Sequence, residues 1–142
     1  MNNLHVIFGT GPLGRAVAEE LVKRGKQVRI VNRSGKAEGL PQNVEVVAGD
    51  AYSHEFTRHI TKNAEVVYQC AQPEYHQWTE KFPALQNSIL ESAASNGAKL
   101  VIADNLYMYG DPNGQVINET SPEHPHTKKG KLRKQMADAA LG

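Results

Sequence analysis

The stretch Leu4-His5-Val6-Ile7-Phe8-Gly9-Thr10-Gly11-Pro12-Leu13-Gly14 reads as a buried strand that stops on a glycine and turns directly into a helix. Its glycines fit the G-x-G-x-x-G spacing of dinucleotide-binding βαβ units. Gly9 allows a tight turn at the strand end. Gly11 removes a side chain where backbone must approach a pyrophosphate. Gly14 lets the new helix pack close to the sheet. Pro12 suits the first helical turn, where its missing N–H costs nothing. Thr10 and Leu13 complete the loop, whose free N–H groups and helix dipole favour phosphate. The flanks agree with this reading. Leu13, Val17 and Leu21 recur at helical spacing, Gly25 marks a helix end, and a second apolar run, Val28-Arg29-Ile30-Val31, follows.

Working outward, Asn43 to Ala48 reads as a third strand closed by Gly49-Asp50. Ser53 can cap a helix through Ile60, although its apolar positions are sparse. Ala64 to Cys70 is a fourth strand. A long helix is expected over Gln77 to Asn96, with Phe82, Leu85, Ile89 and Leu90 facing inward. Pro83 is expected to interrupt its early part or to become its start. Lys99 to Ala103 is a fifth strand. A Gly-, Pro- and Asn-rich loop runs from about Tyr109 to Thr127, and a basic helix covers roughly Lys129 to Leu141. Strands separated by helices imply an α/β fold of Rossmann type. Its doubly wound parallel sheet should have the order 3-2-1-4-5, with helices on both faces. Ligands then bind beyond the carboxyl ends of strands 1 and 4, where the order reverses. That edge should carry Gly9 to Gly14, Asn32 to Lys36, Asp50-Ala51, Ala71-Gln72 and Asn105 to Gly110.

The 142 residues suffice for one domain with a hydrophobic core, and a formal net charge of +1 points to neither nucleic acid nor membrane as partner. The single cysteine, Cys70, rules out an intramolecular disulfide framework and a multi-cysteine zinc site. No run of residues is long and apolar enough for a membrane span. Met1-Asn2-Asn3 leads straight into the first strand with no room for a signal peptide, so a cytoplasmic protein is expected. Glu123-His124-Pro125-His126 superficially resembles a metal cluster, but two histidines two apart beside a proline make a poor zinc set, and no metal is expected. The basic run from Lys128 to Lys134 reads as a solvated helix face.

The corner after strand 2 bears on the cofactor. An NAD site places an acidic residue there on the ribose 2′-hydroxyl. Here the sequence is Val31-Asn32-Arg33-Ser34-Gly35-Lys36, without a carboxylate. Arg33 can fork onto a 2′-phosphate, and Ser34 and Lys36 can add hydrogen bonds or charge. This pattern favours NADP(H) over NAD(H). The alternative is that Arg33 and Lys36 are ordinary solvated loop charges. Asp50 is placed to accept from an adenine amino group, or else to initiate a turn.

These residues carry a resemblance. Strand-GTGPLG-helix, Val47-Ala48-Gly49-Asp50, Asn87, Leu106-Tyr107-Met108-Tyr109-Gly110 and Glu119-Thr120-Ser121-Pro122 together resemble the short-chain dehydrogenase/reductase superfamily. The likeness is to its extended and atypical branch, the NAD-dependent epimerase/dehydratases, and runs over essentially the whole chain. It implies an oxidoreductase or epimerase chemistry with a serine after strand 5 and a Tyr-x-x-x-Lys pair on the next helix. By position, Lys131 matches the lysine, the tyrosine position falls on Thr127, and the serine position falls on Asn105. A threonine hydroxyl is a poor general acid near neutral pH, so the usual proton relay is missing. Tyr107 or Tyr109 could supply a phenol near Lys131 if this stretch stays extended and both point the same way. Asn105 could bond a carbonyl and Asp104 offers a further polar contact, unless both simply end a strand. Members of the branch run to about twice this length, on a two-domain plan. Residues 1–142 are therefore expected to form a dinucleotide-binding domain that stops before the substrate-binding part. Its open side could be covered by a second copy, and no cluster fixes a substrate. A non-catalytic redox sensor is the alternative to an enzyme.

Overall fold

The computed structural model describes residues 3–105, 107–109, 114 and 116–141. Leu106 and Gly110, quoted in the stretch after the fifth strand, lie outside them. Strand β1, Leu4–Phe8, is buried at every position. Such a strand must be covered on both faces, and an unbroken apolar run with one histidine is the sequence form of that requirement. It pairs in parallel with β2, Gln27–Asn32, on one side and with β4, Ala64–Gln69, on the other. β3, Val44–Ala48, joins β2, and β5, Lys99–Ile102, joins β4. The sheet order is β3-β2-β1-β4-β5, as the sequence predicts.

Helix α1, Pro12–Lys23, covers one face. Its buried Gly14, Ala18 and Leu21 lie at four- and three-residue spacing and meet Ile7, Val28 and Ile30. The other face receives α2, His54–Ile60, and α3, Trp78–Ser95, through Ile60, Leu85, Ile89 and Ala93 against Val6, Phe8 and Val67. Burying each large side chain of this set contributes about 1.5–3 kcal/mol. The weak apolar signal of α2 has a physical cause. It docks partly through polar atoms: Thr57 is fully buried, and its hydroxyl lies 3.2 Å from the Ser88 carbonyl and 3.1 Å from the Ser88 hydroxyl. Ser53 caps the helix by accepting from the Phe56 N–H.

Pro83 does not break or start α3, contrary to the expectation from sequence. It sits in the helix's second turn, where it removes a single intrahelical bond. The buried Trp78 and Phe82 anchor the turn before it. A 3₁₀ turn, Tyr75–Gln77, leads in. Leu90 is only partly buried and lines a cavity rather than the core. Helix α4, Lys128–Leu141, packs on α3 through Leu132 and Met136 against Trp78 and Phe82. Among the described residues no helix is long and apolar enough to cross a membrane.

Candidate functional site: a cleft at the carboxyl edge of the sheet

The turn from β1 into α1 is built by close backbone contact. Gly9 has φ +114°, and a Cβ there would fall 2.7 Å from the Ala71 nitrogen. A Cβ on Gly14 would fall 2.0 Å from the Gly9 carbonyl oxygen, so the first turn of α1 rests directly on the strand end. At Gly11 a Cβ would meet nothing within 4 Å, so the space before the helix is open. Gly11 is the N-cap residue and no side chain caps the helix, whose first turn carries no acidic residue. The orphan N–H groups and the positive helix end therefore face a cleft that suits an anion.

Two hollows meet at Gly9, Ala71 and Gln72. One, of about 300 Å³, is lined by Gly9, Asn32, Arg33, Ala51, Tyr52, Ala71 and Gln72. The other, of about 470 Å³, is lined by Gly9, Thr10, Gly11, Pro12, Leu13, Cys70, Ala71, Gln72, Asp104, Asn105 and Arg133. Arg33 also borders a side cavity with Asp50, Tyr52 and Lys81. The fold thus brings together, along one edge, most of the residues that the sequence assigns to a cofactor. Gly14 is buried beneath the loop rather than in the cleft.

Asn32 organises the corner after β2. Its Nδ2 donates to the Lys36 carbonyl at 2.8 Å and to the Thr10 hydroxyl at 3.2 Å, and its Oδ1 accepts from the Gly35 N–H at 2.6 Å. Where an acidic residue would meet a ribose hydroxyl, this amide instead ties the basic loop to the glycine loop. Ser34 stays within the loop, its hydroxyl accepting from the Lys36 N–H at 3.2 Å. Ser34 and Lys36 are exposed and line none of these hollows. Asp50 uses Oδ1 to accept from the Tyr52 N–H at 2.9 Å, the turn-forming alternative, while still bordering the side cavity. Tyr52 was not singled out from sequence. Burial pushes its phenol above the ordinary value and the Arg33 charge pulls it back; both residues line the first hollow. Arg15 was also missed. Its Nε donates to the Thr10 carbonyl at 2.8 Å and its Nη1 to the Glu38 carbonyl, fixing the loop from behind.

The second half of the site departs from the sequence expectations. The Asn105 Oδ1 accepts from the Tyr107 N–H at 3.0 Å, which turns the chain instead of leaving it extended. Tyr107 and Tyr109 consequently part. Tyr107 packs on Trp78 with centroids 5.9 Å apart, whereas Tyr109 lines a separate cavity with Leu90 and Leu100. Tyr75 also packs on Trp78, with centroids 5.0 Å apart, so Tyr75 and Tyr107 share the same indole neighbour. The Thr127 hydroxyl accepts from the Gly130 N–H at 2.9 Å and caps α4. Lys131 is exposed and lines neither hollow. Of the three positions matched to the family's serine, tyrosine and lysine, Asn105 alone borders the cleft. Burial raises the Cys70 thiol pKa, which disfavours a nucleophilic thiolate. The basic run of α4 is not simply a solvated face, because Arg133 is 2% exposed. No group of three metal-binding side chains is assembled among the described residues.

A fold with a glycine turn, an uncapped helix and a double hollow at the switch point defines a dinucleotide-binding domain. The family model for NAD(P)H-binding proteins matches residues 9–141, and the chain belongs to that family. Its cofactor is a nicotinamide dinucleotide. The chain is 31% identical, over 67 residues, to an uncharacterized oxidoreductase of Saccharomyces cerevisiae; the match covers 47% of this chain and 22% of that protein. Among solved structures it resembles the Bordetella bronchiseptica enzyme WbmH in complex with NAD+ at TM-score 0.82 and 20% identity, covering 99% of this chain and 52% of that one. It also resembles the UDP-glucose 4-epimerase of Thermotoga maritima with UDP-glucose at TM-score 0.79 and 20% identity, covering 97% and 50%. At these identities the likeness is one of fold. The chain spans about half the length of these structures and less of the yeast protein.

Proposed function

We propose that this domain binds NADP(H) in preference to NAD(H) and serves an oxidoreductase of the epimerase/dehydratase branch of the short-chain dehydrogenases. The observation that carries the cofactor choice is Arg33, exposed at the mouth of the first hollow and beside its side cavity, in a loop without a carboxylate. A 2′-phosphate there meets a guanidinium. Tyr52 and Ala51 would flank the adenosine, and the uncapped start of α1 would hold the pyrophosphate. The second hollow would take the nicotinamide side. The chemistry a bound nicotinamide supplies is hydride transfer, to or from a substrate carbonyl or sugar carbon. The chain's own part is to bind and orient the dinucleotide and to present Asn105 as a neutral hydrogen-bonding group at the reacting end. The candidate acid/base group near that end is Tyr107, packed on Trp78.

A specific observation favours a second reading, a redox sensor that binds without turnover. The hydroxyl at the tyrosine position caps a helix, and the amide at the serine position forms a turn. Substrate-dependent oxidation of NADPH separates the two. Turnover with any carbonyl or sugar substrate supports the enzyme, whereas tight binding without turnover across such a panel supports the sensor. We also propose that a second copy covers the sheet face at β5, where Val101 is exposed. Sedimentation at monomer mass throughout the micromolar range would refute that dimer.

A further inference from the structure

Helix α4 sends a different cation to the cleft from the one its sequence position suggests. Residues two apart on a helix point about 200° from each other, so α4 cannot turn both Lys131 and Arg133 inward. Arg133 is the one that lines the hollow with Gly11 and Asn105. Its guanidinium lies over Phe82 at 4.4 Å and near Trp78 at 5.6 Å. Nε and Nη2 both donate to Asp104 Oδ1, at 3.0 and 2.5 Å, and Nη2 also reaches the Ala103 carbonyl at 3.3 Å. The same Oδ1 accepts from the Asn105 N–H at 2.8 Å. Three donors thus crowd one carboxylate oxygen, while Oδ2 has no donor among the described residues. Asp104 itself borders the hollow.

We propose that the Asp104–Arg133 pair, rather than Lys131, is the polar contact offered to the nicotinamide side of the ligand. Asp104 Oδ2 accepts from a ligand hydroxyl or amide N–H, the donors of a ribose diol or a carboxamide. Arg133 is a positioning residue: it clamps the carboxylate through Oδ1, which leaves Oδ2 for the ligand, and it fixes the end of β5 where Asn105 begins. Ionic hydrogen bonds of this kind are stronger and more directional than neutral ones. The proposal rests on the dinucleotide reading given above.

The test compares two ligands on the same proteins by calorimetry. NADPH spans both hollows, and adenosine 2′,5′-bisphosphate reaches only the adenosine half. Asp104→Asn and Arg133→Lys should each weaken NADPH binding about tenfold, the scale of one hydrogen bond to a charged group, and leave the bisphosphate within about twofold. Retained bisphosphate binding also reports that the variants are folded. Parallel weakening of both ligands, or no change in either, overturns the proposal. So does selective loss of NADPH in Lys131→Ala with Arg133→Lys unaffected. Failure of the unaltered chain to bind either ligand removes the dinucleotide reading itself, a result distinct from all of these.

Discussion

The two ends of the cleft are built by different means. The β1–α1 turn is made of backbone: Gly9 lies against Ala71, Gly14 against the Gly9 carbonyl, and the helix start is left open. The β5–α4 end is made of side chains that cross long stretches of sequence, with Arg133 on Asp104 and Tyr107 on Trp78. At the first end Gly9 and Gly14 leave no room for a Cβ, while Gly11 faces open space. The second depends on which side chains the fold brings together. A steric requirement on the backbone is written in local glycine spacing, whereas a polar contact between remote side chains leaves no local pattern.

The largest effect expected from breaking this contrast is Gly14→Ala. A methyl group 2.0 Å from a backbone oxygen has no flexible neighbour to displace, so α1 must lift from the strand. The expected loss is about 3 kcal/mol or more, read by urea denaturation, together with loss of dinucleotide binding. Gly11→Ala sharpens the same point, since its Cβ meets no protein atom within 4 Å. That variant should stay as stable as the parent to within about 1 kcal/mol, the helix propensity scale, and lose affinity for nucleotide alone. At the other end, Thr127→Ala removes the α4 cap and should cost about 1 kcal/mol in the same denaturation, without changing adenosine bisphosphate affinity. A catalytic threonine would instead show undiminished stability and lost turnover.

The smallest effect lies far from the cleft, at His5. It is buried in β1, bonded through Nδ1 to the Tyr68 hydroxyl at 2.9 Å, and burial lowers its pKa below the ordinary 6.5. Because the folded value is depressed, the unfolded chain takes up the proton first as pH falls. Stability from this group is complete above about pH 6.5 and declines below it toward the folded value. A thermal-melting series across that window should slope downward with acid, and His5→Gln should flatten the slope. An unchanged slope would assign the acid sensitivity to other groups.

The sheet order and the glycine loop were legible because periodicity and glycine spacing record local backbone demands. Pro83 was misread because α3 is held by Trp78 and Phe82, and tertiary packing outweighs one missing hydrogen bond. Asn32 to Lys36 follow β2 as the sequence predicts, yet the role of Asn32 as a tie between two loops depends on Thr10 and Lys36 lying together in space. Arg133 was invisible inside a basic run. Its partner is remote in sequence, and charge counting alone makes Lys131 and Arg133 look alike. The one available signal was the helical phase: Leu132, Arg133 and Met136 share the buried side of α4.

The central claim, a 2′-phosphate-selective dinucleotide cleft, is tested most directly by titrating the chain with NADPH and with NADH, following Trp78 fluorescence or heat. NADPH is expected to bind about tenfold or more tighter than NADH, a preference that Arg33→Ala abolishes by weakening NADPH alone. Equal affinity for the two nucleotides, or a preference untouched by Arg33→Ala, would contradict it.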